Sequence, residues 1–328
     1  MALTVDIHAH ILVPAITDLV QGQFDPARDP FLRYGGESTA LNRQLFGELM
    51  PMLTMPAERL KVMDRQGVQL QAVSLAPPQY HYWAEPDLGA EIARLGNEAI
   101  AELVSAHPDR LVGLGTLPMQ SPERAVAELE RISASYQLPG VSINPSAEGT
   151  DYDDPVYRDC WQRVEELDLL VVLHPNGFNQ GERLTKYYMI NVVGNPLETT
   201  VALSHIVLGG VLERYPRLKI LAVHGGGYLP FYMDRMDHAF EYRTDVGDLL
   251  PRPPSTYLKQ LYFDSVVFGD GLDYLVSRVG AEHVLMGTDY PYDMGERDPV
   301  GRVGRIANAS RGEKEQIAGL NAATLLKL

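Results

Sequence analysis

The chain has 328 residues, 45% apolar and 22% charged, enough to bury a large core in an ordinary soluble globular protein. Its 28 basic and 43 acidic residues leave a net charge of −15, which argues against nucleic acid or anionic lipid as the main partner but allows a small anionic substrate met by local arginines. The lone Cys160 can form no intrachain disulfide, no apolar run approaches the ~20 residues of a membrane helix, and no signal-peptide pattern opens the chain, so a cytoplasmic setting is expected.

Eight brief apolar or β-branched runs read as buried parallel strands, and stretches of helical character separate them. Thr4–His10 is the first. About 45 residues, Ile11–Met55, then precede the first barrel helix, Pro56–Gln66. Connections that long are usually lids or binding loops, or disordered, and Phe24, Phe31, Tyr34 and Phe46 favour a packed lid. Pro56 near the start and Gly67 just past the end mark that helix. Gln69–Leu75 is the second strand, Leu88–Ala106 a helix with apolar residues at helical spacing, and Leu111–Leu117 the third strand. Ser121-Pro122-Glu123 reads as a cap, a first-turn proline and an acid opening the next helix. Gly140–Asn144 and Leu169–His174 follow as strands four and five, with a second excursion over Asn176–Pro196. Leu218–His224, Gln260–Val266 and His283–Asp289 complete the set.

Eight such repeats predict an α/β fold, a closed (β/α)8 TIM barrel. The rival, a doubly wound open sheet, lacks its phosphate-binding glycine loop after strand one. No linker or low-complexity tract divides the chain, so residues 1–328 are expected to form one domain, with 11–55 as its lid.

Barrel enzymes do their chemistry at the C-terminal ends of the strands. Strand one ends His8-Ala9-His10, and alternate residues on a strand share a face, so both imidazoles can reach one ion. Strand five ends at His174, strand six at His224 and strand eight at Asp289. Imidazole nitrogens and a carboxylate oxygen suit zinc, with no cysteine available as a ligand. A lone strand-end histidine is more often structural. Four titratable groups in one barrel mouth are costly without a metal or a reaction to use them. His107, His205, His238 and His283 lie where structural roles suffice, and His81 sits in an aromatic run after strand two.

Asp6-Ile7-His8-Ala9-His10, His174-Pro175, His224-Gly225-Gly226-Gly227 and Gly287-Thr288-Asp289-Tyr290-Pro291 together resemble the amidohydrolase-2 family. Gly113 to Gln120 and the Gly209-Gly210-Val211 region are similar to its aminocarboxymuconate semialdehyde decarboxylases and related metal-dependent decarboxylases. The resemblance spans nearly the whole chain. It implies one zinc, with manganese as the other candidate, held by His8, His10, His174 and Asp289, and His224 beside it as acid/base. Asp289 is a candidate to share the proton work. Binuclear members carry a bridging lysine on strand four, and this chain has none there. The resemblance further implies a homodimer in which Arg235 crosses to the neighbour's substrate carboxylate, with Arg243, Tyr188 and Tyr292 as further substrate contacts. An arginine that the group carries near Met50 is replaced here by the apolar run Leu49-Met50-Pro51-Met52, which argues against the same substrate. The implied activity is non-oxidative decarboxylation of a small aromatic or unsaturated carboxylic acid. A hydrolase or hydratase on the same scaffold is the alternative, since fold does not fix chemistry, and a non-catalytic metal scaffold is a distant third.

Overall fold

A computed structural model describes residues 3–328, and each strand signal appears in it as a strand. These are β1 (Val5–Ile11), β2 (Leu70–Leu75), β3 (Leu111–Gly113), β4 (Gly140–Ile143), β5 (Leu170–Leu173), β6 (Lys219–Ala222), β7 (Leu261–Asp264) and β8 (Val284–Leu285). All pair in parallel, in two continuous runs, β1 to β3 and β4 to β8. Two seams close the ring. Gly115 bridges to Val141, and Ala9 bridges to Tyr290. At the second seam the Ile7 N–H donates to the Met286 carbonyl at 2.9 Å, and the Asp289 N–H to the His8 carbonyl at 2.8 Å. The result is the (β/α)8 barrel expected from the alternation.

Strand residues alternate between two apolar clusters. Val73, Leu75, Val171, Leu173 and Phe263 join the cluster that also holds the outer helices. Ala72, Val112, Leu114, Val172 and Leu221 join a second cluster, closed by Ala322, Leu325 and Leu326 of the last helix, Asn321–Leu326. Full burial on both faces explains why the strands read as continuous apolar runs.

Several strands are shorter than the sequence suggests, for a local reason. Beyond β3 the Thr116 N–H turns to the Asn97 side chain at 2.7 Å and leaves the ladder. Beyond β8 the Met286 N–H goes to the Ile317 carbonyl at 2.8 Å. Helix signals fared well at Pro56–Gln66, which ends at Gly67 with φ 70°. The helix Pro86–Ala106 buries Ile92, Gly96, Asn97 and Ile100 along one stripe. Pro122–Arg131 starts at its proline, but Ser121 makes no side-chain capping bond, contrary to the cap expected there.

The long stretch after β1 is ordered. It holds helices at Pro14–Val20, Pro30–Arg33 and Thr39–Thr54. Tyr34 from this stretch is buried against Leu184 and Ile190 of the excursion after β5, with Phe31 and Phe178 packed alongside. The two insertions therefore hold each other over one end of the barrel, where they wall the cavity described next.

Candidate metal centre and substrate cavity

β1 presents His8 and His10, the residue after β5 is His174, and the turn after β8 carries Asp289. All four are buried, and their ligand-type atoms lie within 4.8 Å of one another. His8 Nε2 and His10 Nε2 are 3.1 Å apart. Asp289 Oδ1 lies 3.2 Å from His8 Nε2, 3.1 Å from His10 Nε2 and 3.5 Å from His174 Nε2. Tetrahedral donors about 2.0–2.1 Å from a zinc ion stand roughly 3.3 Å from each other, close to these four separations, within a group that spreads to 4.8 Å. His174 Nε2 is buried without a hydrogen-bond partner, an open donor at the centre of the group. The donor set thus fits one divalent ion.

The outer contacts explain why the Nε2 atoms converge. His8 Nδ1 is 2.6 Å from Asp264 Oδ2, His10 Nδ1 is 3.2 Å from Ser74 Oγ, and His174 Nδ1 is 2.8 Å from the Pro175 carbonyl. Each ring is turned by its Nδ1 contact so that Nε2 faces inward. Below them, Asp6 accepts hydrogen bonds from Gln71 Nε2 at 2.7 Å, Thr288 Oγ1 at 2.6 Å, and the N–H groups of His8 and Thr288 at 3.0 Å. Burial pushes the Asp6 carboxyl up to about 6 against those bonds. The buried Arg59 guanidinium donates to Gln71 Oε1 at 2.6 Å and to the His10 carbonyl, so β1, β2 and β8 are tied directly under the ligands.

Burial disfavours charge on all three imidazoles. It brings His10 down to about 4 and His174 well below its ordinary value. For His8 the burial effect is overcome by the Asp289 and Asp264 carboxylates, which raise it to about 10. Burial also pushes Asp289 upward, but the charge on His8 and the neighbouring His10, His174 and His224 imidazoles hold it well below the carboxylate range. Burial therefore favours the neutral form of His10 and His174, the form in which an imidazole ligates, while the two carboxylates favour charge on His8.

His224 stands beside this group, with Nε2 3.4 Å from the second Asp289 oxygen, Oδ2, and Nδ1 buried and unpaired. It follows β6 in a left-handed conformation, φ 53°, and Asp289 does the same at 58°. Side-chain-bearing residues held there cost on the order of 1–3 kcal/mol and persist only where the surroundings fix them. The glycines after His224 have a packing reason. A Cβ on Gly226 would lie 2.6 Å from the Phe263 ring, and one on Gly227 2.2 Å from the Pro196 carbonyl.

A cavity of about 340 Å³ opens onto His174 and Asp289. Tyr188 and Tyr292 line it, and Phe31, Phe46 and Leu49 of the first insertion form a wall. Arg43 is the one arginine or lysine in that lining among the described residues. The Tyr292 ring centre is 5.3 Å from that of His10, and the Tyr188 hydroxyl is 3.3 Å from Asp293 Oδ1. Arg235 and Arg243 are not brought to this cavity within the protomer. Arg235 is exposed on the helix Leu229–Tyr242, and Arg243 is exposed and paired with Asp245 at 2.7 Å. Of the run Tyr228–Met233, Leu229, Pro230 and Met233 face the chain's own core, while Tyr228 and Tyr232 are exposed.

Sequence reasoning missed Asp264, Arg59 and Arg43. Asp264 lies two residues inside the run read as Gln260–Val266 and becomes a strand end only in the structure, where β7 stops at it. Nothing local marks Arg59 or Arg43, whose roles depend on where the helices Pro56–Gln66 and Thr39–Thr54 dock.

A closed barrel with histidines and a carboxylate gathered at the C-terminal strand ends is the architecture of a metal-dependent barrel enzyme. The amidohydrolase family model matches residues 5–328, and the chain belongs to that family. It is 32% identical to the 2-amino-3-carboxymuconate-6-semialdehyde decarboxylase of Dictyostelium discoideum, over 100% of this chain and 92% of that one. It is 29% identical to the gamma-resorcylate decarboxylase of a Rhizobium species, over 84% of this chain and 88% of the relative. Among solved structures, the 5-carboxyvanillate decarboxylase of Sphingomonas paucimobilis superposes with a TM-score of 0.87 at 26% identity, each chain covered in full.

Proposed function

We propose that this chain is a metal-dependent carboxy-lyase that removes CO₂ without oxidation from a small aromatic or unsaturated carboxylic acid. His8, His10, His174 and Asp289 would hold one divalent ion, zinc by the chemistry of its donors. The observation that carries the reading is His224 set 3.4 Å from Asp289 Oδ2, a proton carrier next to the ligand group. The relatives described above are decarboxylases by name, which favours the lyase over a hydrolase or hydratase.

Loss of CO₂ breaks a C–C bond and leaves its electron pair on the substrate carbon, which then takes a proton. The ion, when bound, supplies positive charge that draws electron density from a substrate oxygen conjugated to that carbon. His224 holds the proton on its imidazole and passes it to the carbon. Asp289 Oδ2 orients that imidazole, and Asp289 is the second group able to carry the proton. Tyr188 and Tyr292 flank the acid in the cavity, and Arg43 meets its carboxylate by a two-pronged contact. Arg235, exposed in its own protomer, serves the neighbouring site in a homodimer, with Arg243 in the same segment.

A panel of aromatic and muconate-type acids, followed by CO₂ release and product analysis, tests this. One member is expected to lose CO₂ in equal measure with the acid consumed. Cleavage of an ester or amide, or addition of water to a double bond, with no CO₂ from any acid, would make the chain a hydrolase or hydratase instead.

A further inference from the structure

Asp264 is buried at the end of β7 and plays no part in the chemistry above. Both of its oxygens are used. Oδ2 is 2.6 Å from His8 Nδ1, and Oδ1 accepts from the Gly225 N–H at 2.9 Å and the Val266 N–H at 3.2 Å. Gly225 directly follows His224. His224 has φ 53°, a strained conformation for a residue with a side chain, which persists only where the surroundings fix it. Gly225, Gly226 and Gly227 continue the turn at 61°, 76° and 64°, which glycine adopts freely. Local bonds hold part of it: the Gly226 N–H donates to the Val223 carbonyl at 3.0 Å and the Gly227 N–H to the His224 carbonyl at 3.1 Å. The Gly225 N–H is the one that reaches out of the turn, and it reaches Asp264.

We infer that Asp264 is a positioning residue that sets the metal-facing nitrogen of His8 and the stance of His224 through one carboxylate. The inference rests on the metal reading above. A carboxylate at Nδ1 keeps the His8 proton there and leaves the Nε2 lone pair for the ion. The same carboxylate, by its other oxygen, pins the backbone next to the acid/base. Ligand and proton carrier are thereby fixed relative to each other through β7, although they come from β1 and the turn after β6.

Two substitutions separate the two functions. In Asp264→Asn the amide oxygen does best facing the Gly225 and Val266 N–H groups, where it keeps two hydrogen bonds. The amide NH₂ then meets His8 Nδ1 as a donor, which favours the tautomer with its proton on Nε2, against the ion. In Asp264→Ala both supports go.

The test measures zinc affinity by chelator competition, backbone structure by circular dichroism, and turnover at saturating zinc for wild type and both variants. Asp264→Asn is expected to fold normally, to bind zinc about 10–100-fold more weakly, and to recover most of its turnover at saturating zinc. Asp264→Ala is expected to bind as weakly and to stay at least about tenfold slower at saturation, because the His224 turn has lost its anchor. In the zinc-loaded wild type, ¹⁵N shifts should place the His8 proton on Nδ1, a reading that needs no variant. Wild-type affinity in Asp264→Asn, equal turnover of the two variants at saturation, or a His8 proton on Nε2 in the loaded wild type would each overturn the coupling. A wild-type chain that binds no divalent ion would overturn the metal reading and the coupling with it, whereas the other results leave the metal reading intact.

Discussion

Burial without a carboxylate at Nδ1 favours the neutral form of His10 and His174, while His8 has Asp289 beside Nε2 and Asp264 at Nδ1. His224 differs from all three. Its Nε2 faces Asp289 Oδ2 rather than the shared oxygen Oδ1, and its Nδ1 has no hydrogen-bond partner. That placement is the ground for proposing His224 as the proton carrier rather than a ligand. His224→Ala is expected to keep its ion, measured by metal analysis, and to lose about 10²–10⁴-fold in turnover. Loss of the ion in that variant would make His224 a ligand. At this scale the sequence is informative where chemistry sits next to a strand end. His8 and His10 are two apart on one strand, and His174 and Asp289 follow β5 and β8. Arg59 could not be read, because an arginine in Pro56–Gln66 looks like any solvated helix charge until that helix docks against β1 and β2.

The elements were legible as strands and helices, and less so in their joins. Residues at β8 and beyond β3 were expected to stay in the ladder, but their N–H groups found closer partners at Ile317 and Asn97. The stretch after β1 could be recognised as a packed insertion from its aromatic residues. Its three helices, and the cavity wall they make with Phe31, Phe46 and Arg43, depend on contacts with Leu184 and Ile190 far along the chain. The helix Leu229–Tyr242 carries the proposal of a shared site. It leaves Tyr232 69% exposed with Arg235 on the surface nearby, while Met233 is turned inward. An exposed aromatic of that kind suits an interface. Mixing Arg235→Ala chains with His224→Ala chains is expected to regenerate activity, since one site in each mixed dimer would regain both groups. No recovery after verified subunit exchange, or full activity in a monomer by sedimentation, would confine Arg235 to its own barrel or to the surface.

The whole molecule explains why the site is built where it is. Residues from β1, β5, the turn after β6, β7 and the turn after β8 can meet only if the ring closes, and the seam between β8 and β1 is made by the residues next to the ligands, Ile7, Ala9 and Tyr290. Ring closure thus brings the candidate ligands together, and no helix among the described residues is long and apolar enough to cross a membrane. With β4 lacking a lysine and one candidate ligand cluster among the described residues, the proposal is a single ion per chain. The most direct measurement is to strip the protein with a chelator and titrate zinc, then manganese, back while following CO₂ release from the acid that the panel identifies. The account predicts no release without metal, and a linear recovery that breaks at one ion per chain. Recovery that continues to two ions per chain, or full CO₂ release from metal-free protein, would contradict it.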